Sequence, residues 1–215
     1  FGSFFGAKKA CEPLHIQMNQ TDFHVMVVNH LPSSQDGLKA RVRVVGLDGA
    51  MILDRTTDVG PARASAATDL GAIEFPAGIA PTHLVRLDLL DRRGRVVSDN
   101  LYWRNGVAEN DLTALNALPP VSLHATMRRH DANGKVVLDV TVKNPTKAVA
   151  LMAHLQLRNA RTNARVLPVF YSDNYVSLLP GERRTITIEV ASKDLGADQA
   201  GEAIDGWNVT AVVVR

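Results

Sequence analysis

The sequence predicts an all-β chain: two tandem immunoglobulin-like β-sandwich domains preceded by a short helical stub. Three observations predict it. Apolar and polar residues alternate with period 2 from Leu14 onward, and turn signals recur near every tenth residue. A polar, proline-bearing break over residues 109–120 then divides the 215 residues into two stretches of domain size. The expected organisation is a stub over 1–13, a sandwich over 14–108, a linker over 109–120 and a second sandwich over 121–215.

The first ten residues follow a different pattern. Phe4, Phe5, Ala7 and Ala10 with Lys8-Lys9 suit a short helix that Glu12-Pro13 ends. So short an element cannot bury Phe1, Phe4 and Phe5 within itself. Since the chain opens on Phe rather than Met, they are expected to pack on something upstream. From Leu14, His15–Asn19 and Phe23–Asn29 read as strands joined by the turn Asn19-Gln-Thr-Asp22. Leu38–Leu47 reads as a strand with Leu38, Ala40, Val42 and Val44 on one face, and Asp48-Gly49 turns it back into Met51–Leu53. Pro61–Pro81 is Ala-rich and weakly patterned, which fits one strand with long connections. His83–Leu90 and Val96–Trp103 form a hairpin about Asp91-Arg-Arg-Gly94, with Tyr102 and Trp103 on opposite faces. Beyond the linker, strands are expected at Ser122–Arg128, Lys135–Lys143, Leu151–Arg158, Arg165–Tyr171, Thr185–Val190 and Gly206–Val214.

Composition narrows the function classes. With 46% hydrophobic and 21% charged residues the chain can bury two cores. Lys and Arg total 24 against 22 Asp and Glu, and the basic residues sit in small groups beside turns rather than in a stripe, which argues against nucleic-acid binding. No apolar run is long enough to span a bilayer. Cys11 is the one cysteine, so no intrachain disulfide forms.

Catalytic signals are sparse. Glu74, Asp99, Asp173 and Glu182 are the carboxylates that could serve a glycosidase, but each lies in a loop or strand-edge context that suits a solvated or capping role. His15, His24 and His30 lack a metal-site spacing. Asp131-Ala-Asn133-Gly134 lacks the ligands that would complete a calcium loop and reads as a hairpin turn. No nucleophile elbow or phosphate loop occurs, and no cofactor or metal is expected. Asn19-Gln-Thr21 and Asn208-Val-Thr210 fit the glycosylation sequon. Tyr102, Tyr171, Tyr175 and Trp207 are candidate sugar-stacking residues, because aromatic rings pack on the axial C–H face of a sugar.

Three segments carry a resemblance. Phe5-Gly-Ala-Lys-Lys-Ala10 with Glu12-Pro-Leu-His-Ile-Gln17 resembles the exit from a barrel's last helix into a following sandwich. Ser98-Asp-Asn-Leu-Tyr-Trp103 resembles that sandwich's last strand, and Ser172–Glu182 (SDNYVSLLPGE) resembles a C-terminal immunoglobulin-like domain. In this order they are similar to the rear of glycoside hydrolase family 2, in its exo-β-glucosaminidase and β-mannosidase branch. The resemblance implies a parent enzyme whose two catalytic glutamates lie in a (β/α)8 barrel upstream, so none is carried onto this chain. It implies a non-catalytic role in bracing the barrel and shaping substrate access, an interface with the barrel at Phe1, Phe4 and Phe5, and a periplasmic or extracellular location. The alternatives are a free-standing carbohydrate-binding module and a two-domain periplasmic chaperone.

Overall fold

The computed structural model describes residues 2–106, 111–195 and 200–214. In chain order its elements are α1 (Gly2–Ala10), β1 (Leu14–Met18), β2 (His24–Asn29), β3 (Gln35–Gly46), β4 (Met51–Ala62), β5 (Ala66–Ala72), β6 (Thr82–Leu90), β7 (Val96–Asn105), a 3-10 turn (Thr113–Ala117), β8 (His124–Ala132), β9 (Lys135–Lys143), β10 (Ala150–Asn159), β11 (Phe170–Tyr171), β12 (Val176–Leu178), β13 (Arg183–Ala191), the one-turn α2 (Ser192–Leu195), β14 (Ala200–Asp205) and β15 (Val212–Val214). Strand dominates and every named strand pair is antiparallel, as the period-2 pattern requires.

The chain divides into two compact units, Gly6–Ala117 and Phe1–Phe5 with Leu118–Arg215. The first has sheets of order β1-β2-β5 and β4-β3-β6-β7. Leu38, Ala40, Val42 and Val44 of β3 face Ile16, Val25 and Val27 across its core, along with Val85, Leu87 and Leu89 of β6. On the other face of its larger sheet runs a buried charge chain. Asp88 joins Arg43 (2.6 Å) to Arg86 (3.2 Å), and Asp99 joins Arg86 (2.7 Å) to Lys9 of α1 (2.7 Å). The segment expected to be a linker holds the 3-10 turn, with Leu115 buried; residues 107–110 lie outside the described ones.

The second unit has sheets of order β11-β13-β9-β8 and β12-β10-β14-β15. Its core is lined by Val136, Leu138, Val140 and Val142 of β9, Ile186, Ile188 and Val190 of β13, and Leu155 and Leu157 of β10. The β8–β9 hairpin turns at Asn133 and Gly134, whose φ values of 52° and 74° are the paired left-handed residues of a two-residue loop.

The two units share a topology. In each, an antiparallel hairpin (β1–β2, β8–β9) starts the first sheet, and the chain crosses to β3 or β10. An edge strand on that second sheet follows (β4, β12), in the second unit only after the extra edge strand β11 of the first sheet, then a return to the first (β5, β13) and two closing strands (β6–β7, β14–β15). An asparagine marks the same crossing in both. Asn29 donates through Nδ2 to the Ala62 carbonyl (2.9 Å) and accepts from the Leu31 amide (3.0 Å). Asn144 donates to the Leu178 carbonyl (3.0 Å) and accepts from the Thr146 amide (3.0 Å). Ala62 and Leu178 both end the edge strand of their unit, so each wholly buried asparagine staples the crossover to it.

Two expected strands are corrected. Arg165–Tyr171 shrinks to Phe170–Tyr171, because Pro168 has no N–H for a ladder. The closing strand expected over Gly206–Val214 shrinks to β15 over Val212–Val214, and β14 over Ala200–Asp205, just before that range, is a strand the sequence pattern did not indicate. A Cβ at Gly206 would lie 2.8 Å from the Met152 carbonyl oxygen, so the chain leaves the sheet at a residue only glycine can fill.

Candidate functional site

The two segments that carry the strongest sequence signals do the same structural work. On β7, residues 98, 100 and 102 point inward, and their side chains bond the open edge of β1. Ser98 Oγ accepts from the Ile16 amide (3.2 Å), Asn100 Nδ2 donates to the Ile16 carbonyl (2.9 Å), and Tyr102 Oη accepts from the Met18 amide (2.9 Å). In the second unit β10 is bonded likewise at the bulge in its pairing with the short β12 and along the stretch that β12 does not reach. Asn174 accepts from the Leu155 amide (2.8 Å) and donates to the Leu155 carbonyl (2.9 Å). Tyr171 Oη accepts from the Leu157 amide (2.8 Å) and Ser177 Oγ from the Met152 amide (3.1 Å). Side chains thus supply the hydrogen bonds that a further strand would make, and buried backbone groups are satisfied without one.

This fixes the placement of the sugar-stacking candidates. Tyr102 and Tyr171 are turned toward their cores with their hydroxyls engaged, and burial raises both phenols, Tyr171 to about 12. Tyr175 is sandwiched: its ring stacks on His154 at 4.4 Å and 13°, and a Cβ at Gly2 would lie 3.4 Å from it. Phe5 packs beside it at 6.2 Å, so part of the phenylalanine-rich start has a partner within this chain. Phe4 is 62% exposed and Trp207 53%, while Phe1 lies outside the described residues. Sequence reading passed over Phe170. Strand alternation could have found it, since with Tyr171 turned inward its neighbour must face solvent, and Phe170 is 72% exposed.

The carboxylates weighed as catalytic groups are held in structural roles. Asp173 pairs with Arg184 (2.7 Å), and Glu182 accepts from the Leu179 amide in the Pro180-Gly181 turn (2.9 Å). Asp99 belongs to the buried charge chain, and Glu74 is exposed. His15 lies 3.2 Å from Glu12, and His24 lies 2.8 Å from Asp69, which raises His24 above its ordinary value. Asn208 of the second sequon is wholly engaged, donating to the Pro119 and Val149 carbonyls and accepting from the Leu151 amide.

A further carboxylate has no such role. Glu202 on β14 is fully buried, and neither carboxyl oxygen has a hydrogen-bond partner. It lies opposite Leu157 and shares the inner face with Ala200 and Ile204. Burial raises it to about 8, so at neutral pH it holds its proton. Enclosed in the core, it has no access to a substrate.

The described residues thus form two immunoglobulin-like sandwiches in which Asp99, Asp173 and Glu182 are held by ion pairs or backbone hydrogen bonds. The chain belongs to the exo-β-D-glucosaminidase Ig-fold domain family, whose model matches residues 100–209. It is 33% identical to the exo-β-D-glucosaminidase of Streptomyces avermitilis over 96% of this chain and 25% of that protein. It superposes on the crystal structure of the Amycolatopsis orientalis exo-chitosanase with a TM-score of 0.91 and 30% identity, over 99% of this chain and 27% of that one. A β-D-mannosidase from Dictyoglomus thermophilum shares the fold, with a TM-score of 0.59 at 14% identity over 97% of this chain and 23% of that one. The chain therefore spans about a quarter of the length of the relatives it matches.

Proposed function

We propose that this chain is the non-catalytic rear of a retaining β-glycosidase acting on β-glucosaminides, that it braces a catalytic barrel in the same polypeptide, and that it helps shape substrate access. The observation that carries this reading is coverage: nearly the whole chain matches about a quarter of the Amycolatopsis exo-chitosanase, leaving the larger share of such an enzyme to hold the catalytic residues. The committed carboxylates agree with it. So does α1, which buries none of its residues and leaves Phe4 mostly exposed, apolar area that a barrel would cover.

The test has two arms. The 215-residue chain is assayed on aryl β-D-glucosaminide and aryl β-D-mannoside, where no turnover is expected and measurable turnover would overturn the assignment. In the full-length parent, Phe4→Asp is expected to lower the melting temperature of the barrel; an unchanged melting temperature would remove the bracing role.

A further inference from the structure

The outer face of the sheet β11-β13-β9-β8 carries a groove of about 380 Å³ lined by Lys135, Phe170, Tyr171, Ser172, Thr187 and Glu189. Phe170 forms one wall. Its backbone pairs with Glu189, and its ring stands into solvent with no aromatic or cationic partner among the described residues. An exposed phenylalanine on a two-residue edge strand contributes nothing to the core, which its neighbour Tyr171 serves instead. The rest of the groove is polar and held in place. Lys135 Nζ meets Glu189 Oε2 at 2.7 Å, Thr187 Oγ1 bonds Asp139 at 2.8 Å, and the Thr187 amide donates to Ser172 Oγ at 2.9 Å.

From this arrangement we infer that the Phe170 groove is a subsite for a β-linked glucosamine oligosaccharide. A pyranose ring has an apolar C–H face and a hydroxyl rim. It needs one free aromatic plane bordered by fixed donors and acceptors, and the groove offers both. A protein partner would want a broader apolar area than one ring, and the paired charges here carry no net sign to attract a nucleic acid or an anionic membrane. Glu189 provides a carboxylate for the sugar's ammonium and Lys135 a donor for its hydroxyls. The ligand class rests on the glucosaminide reading proposed above; the groove does not.

The test is amide chemical-shift mapping of the 215-residue chain titrated with glucosamine hexamer and, separately, with cellohexaose. Saturable shifts are expected at residues 135, 170–172 and 187–189 with the glucosamine hexamer. Phe170→Ala should weaken binding about three- to tenfold, Glu189→Gln should weaken it for the glucosamine hexamer alone, and Trp207→Ala should leave it unchanged. Shifts confined to other residues, or affinity lost in Trp207→Ala and kept in Phe170→Ala, would overturn the site. Cellohexaose binding at these amides with no response to the glucosamine hexamer would keep the groove and overturn the ligand class, and with it the glucosaminide reading.

Discussion

Replacing Glu202 should stabilise this protein, and more so as the pH rises. Folding moves the Glu202 carboxyl from an ordinary value of 4.5 to about 8, because burial removes the water that would solvate its charge and no donor replaces it. The sign follows from proton binding. Between these two values the folded chain holds a proton that the unfolded chain has released. Stability is therefore greatest below about 4.5, falls as pH rises, and levels off above about 8. At about 1.4 kcal/mol for each pH unit, the loss is roughly 3 kcal/mol at pH 7 and roughly 5 kcal/mol above pH 8. Tyr171, which faces Glu202 from β11, titrates at about 12 and stays neutral throughout this range.

The assay is urea unfolding of Glu202→Gln against the parent at pH 5, 7 and 9. It is read by Trp207 fluorescence in a Trp103→Phe background, since the chain has two tryptophans and only Trp207 lies in the second unit. The amide keeps the shape and removes the titration, and every other ionisable group cancels in the difference. The variant should gain on the parent by about 4 kcal/mol between pH 5 and pH 9. Glu202→Leu should add a pH-independent gain of about 1–3 kcal/mol by removing an unpartnered polar group. A stability difference that is the same at all three pH values would refute the argument.

Other perturbations follow from the hydrogen-bond and charge networks. Asn174→Ala leaves the Leu155 amide and carbonyl without partners on the stretch of β10 that β12 does not pair, and should cost about 2–4 kcal/mol in the same unfolding assay. Arg86→Met leaves the buried Asp88 with Arg43 alone and the buried Asp99 with Lys9 alone, and should cost about 2–3 kcal/mol, read through Trp103 in a Trp207→Phe background.

Much of this fold was legible where one face of a strand meets a core and the other meets water. β3 is the clearest case: its alternate residues from Leu38 to Val44 read as one face and pack as one. Legibility failed where that contrast is missing. β14 reads Ala-Gly-Glu-Ala-Ile-Asp, with weak strand formers and a carboxylate at an inward position, so its pattern contradicts its burial. The residues after it look more strand-like, yet Asn208 ties them into a loop by three backbone hydrogen bonds. The groove at Phe170 was hidden for a different reason. Aromatic content points to Tyr171 and Phe170 equally, and only the knowledge that Tyr171 reaches the Leu157 amide decides which ring is left outside.

The same distinction explains why the Ser98–Trp103 and Ser172–Glu182 motifs resemble a sugar-cleaving family without containing its chemistry. Their polar residues are too specific for surface loops: a serine, an asparagine and a tyrosine at alternate positions in the first, and an asparagine and a serine in the second, joined by the tyrosine just before it. Catalysis is one explanation for such specificity, but the geometry supplies another. A sandwich with an unpaired strand edge needs donors and acceptors at fixed strand spacing, and only side chains of particular length reach them. Ser98, Asn100 and Tyr102 meet that need on β1, and Tyr171, Asn174 and Ser177 on β10. A motif can therefore mark a family because it completes the family's fold, and a group that serves chemistry or binding is better sought among residues the fold leaves unused. In this chain Phe170 is such a residue on the surface and Glu202 in the core. The first is open to a ligand, whereas the second is sealed and can report only through stability.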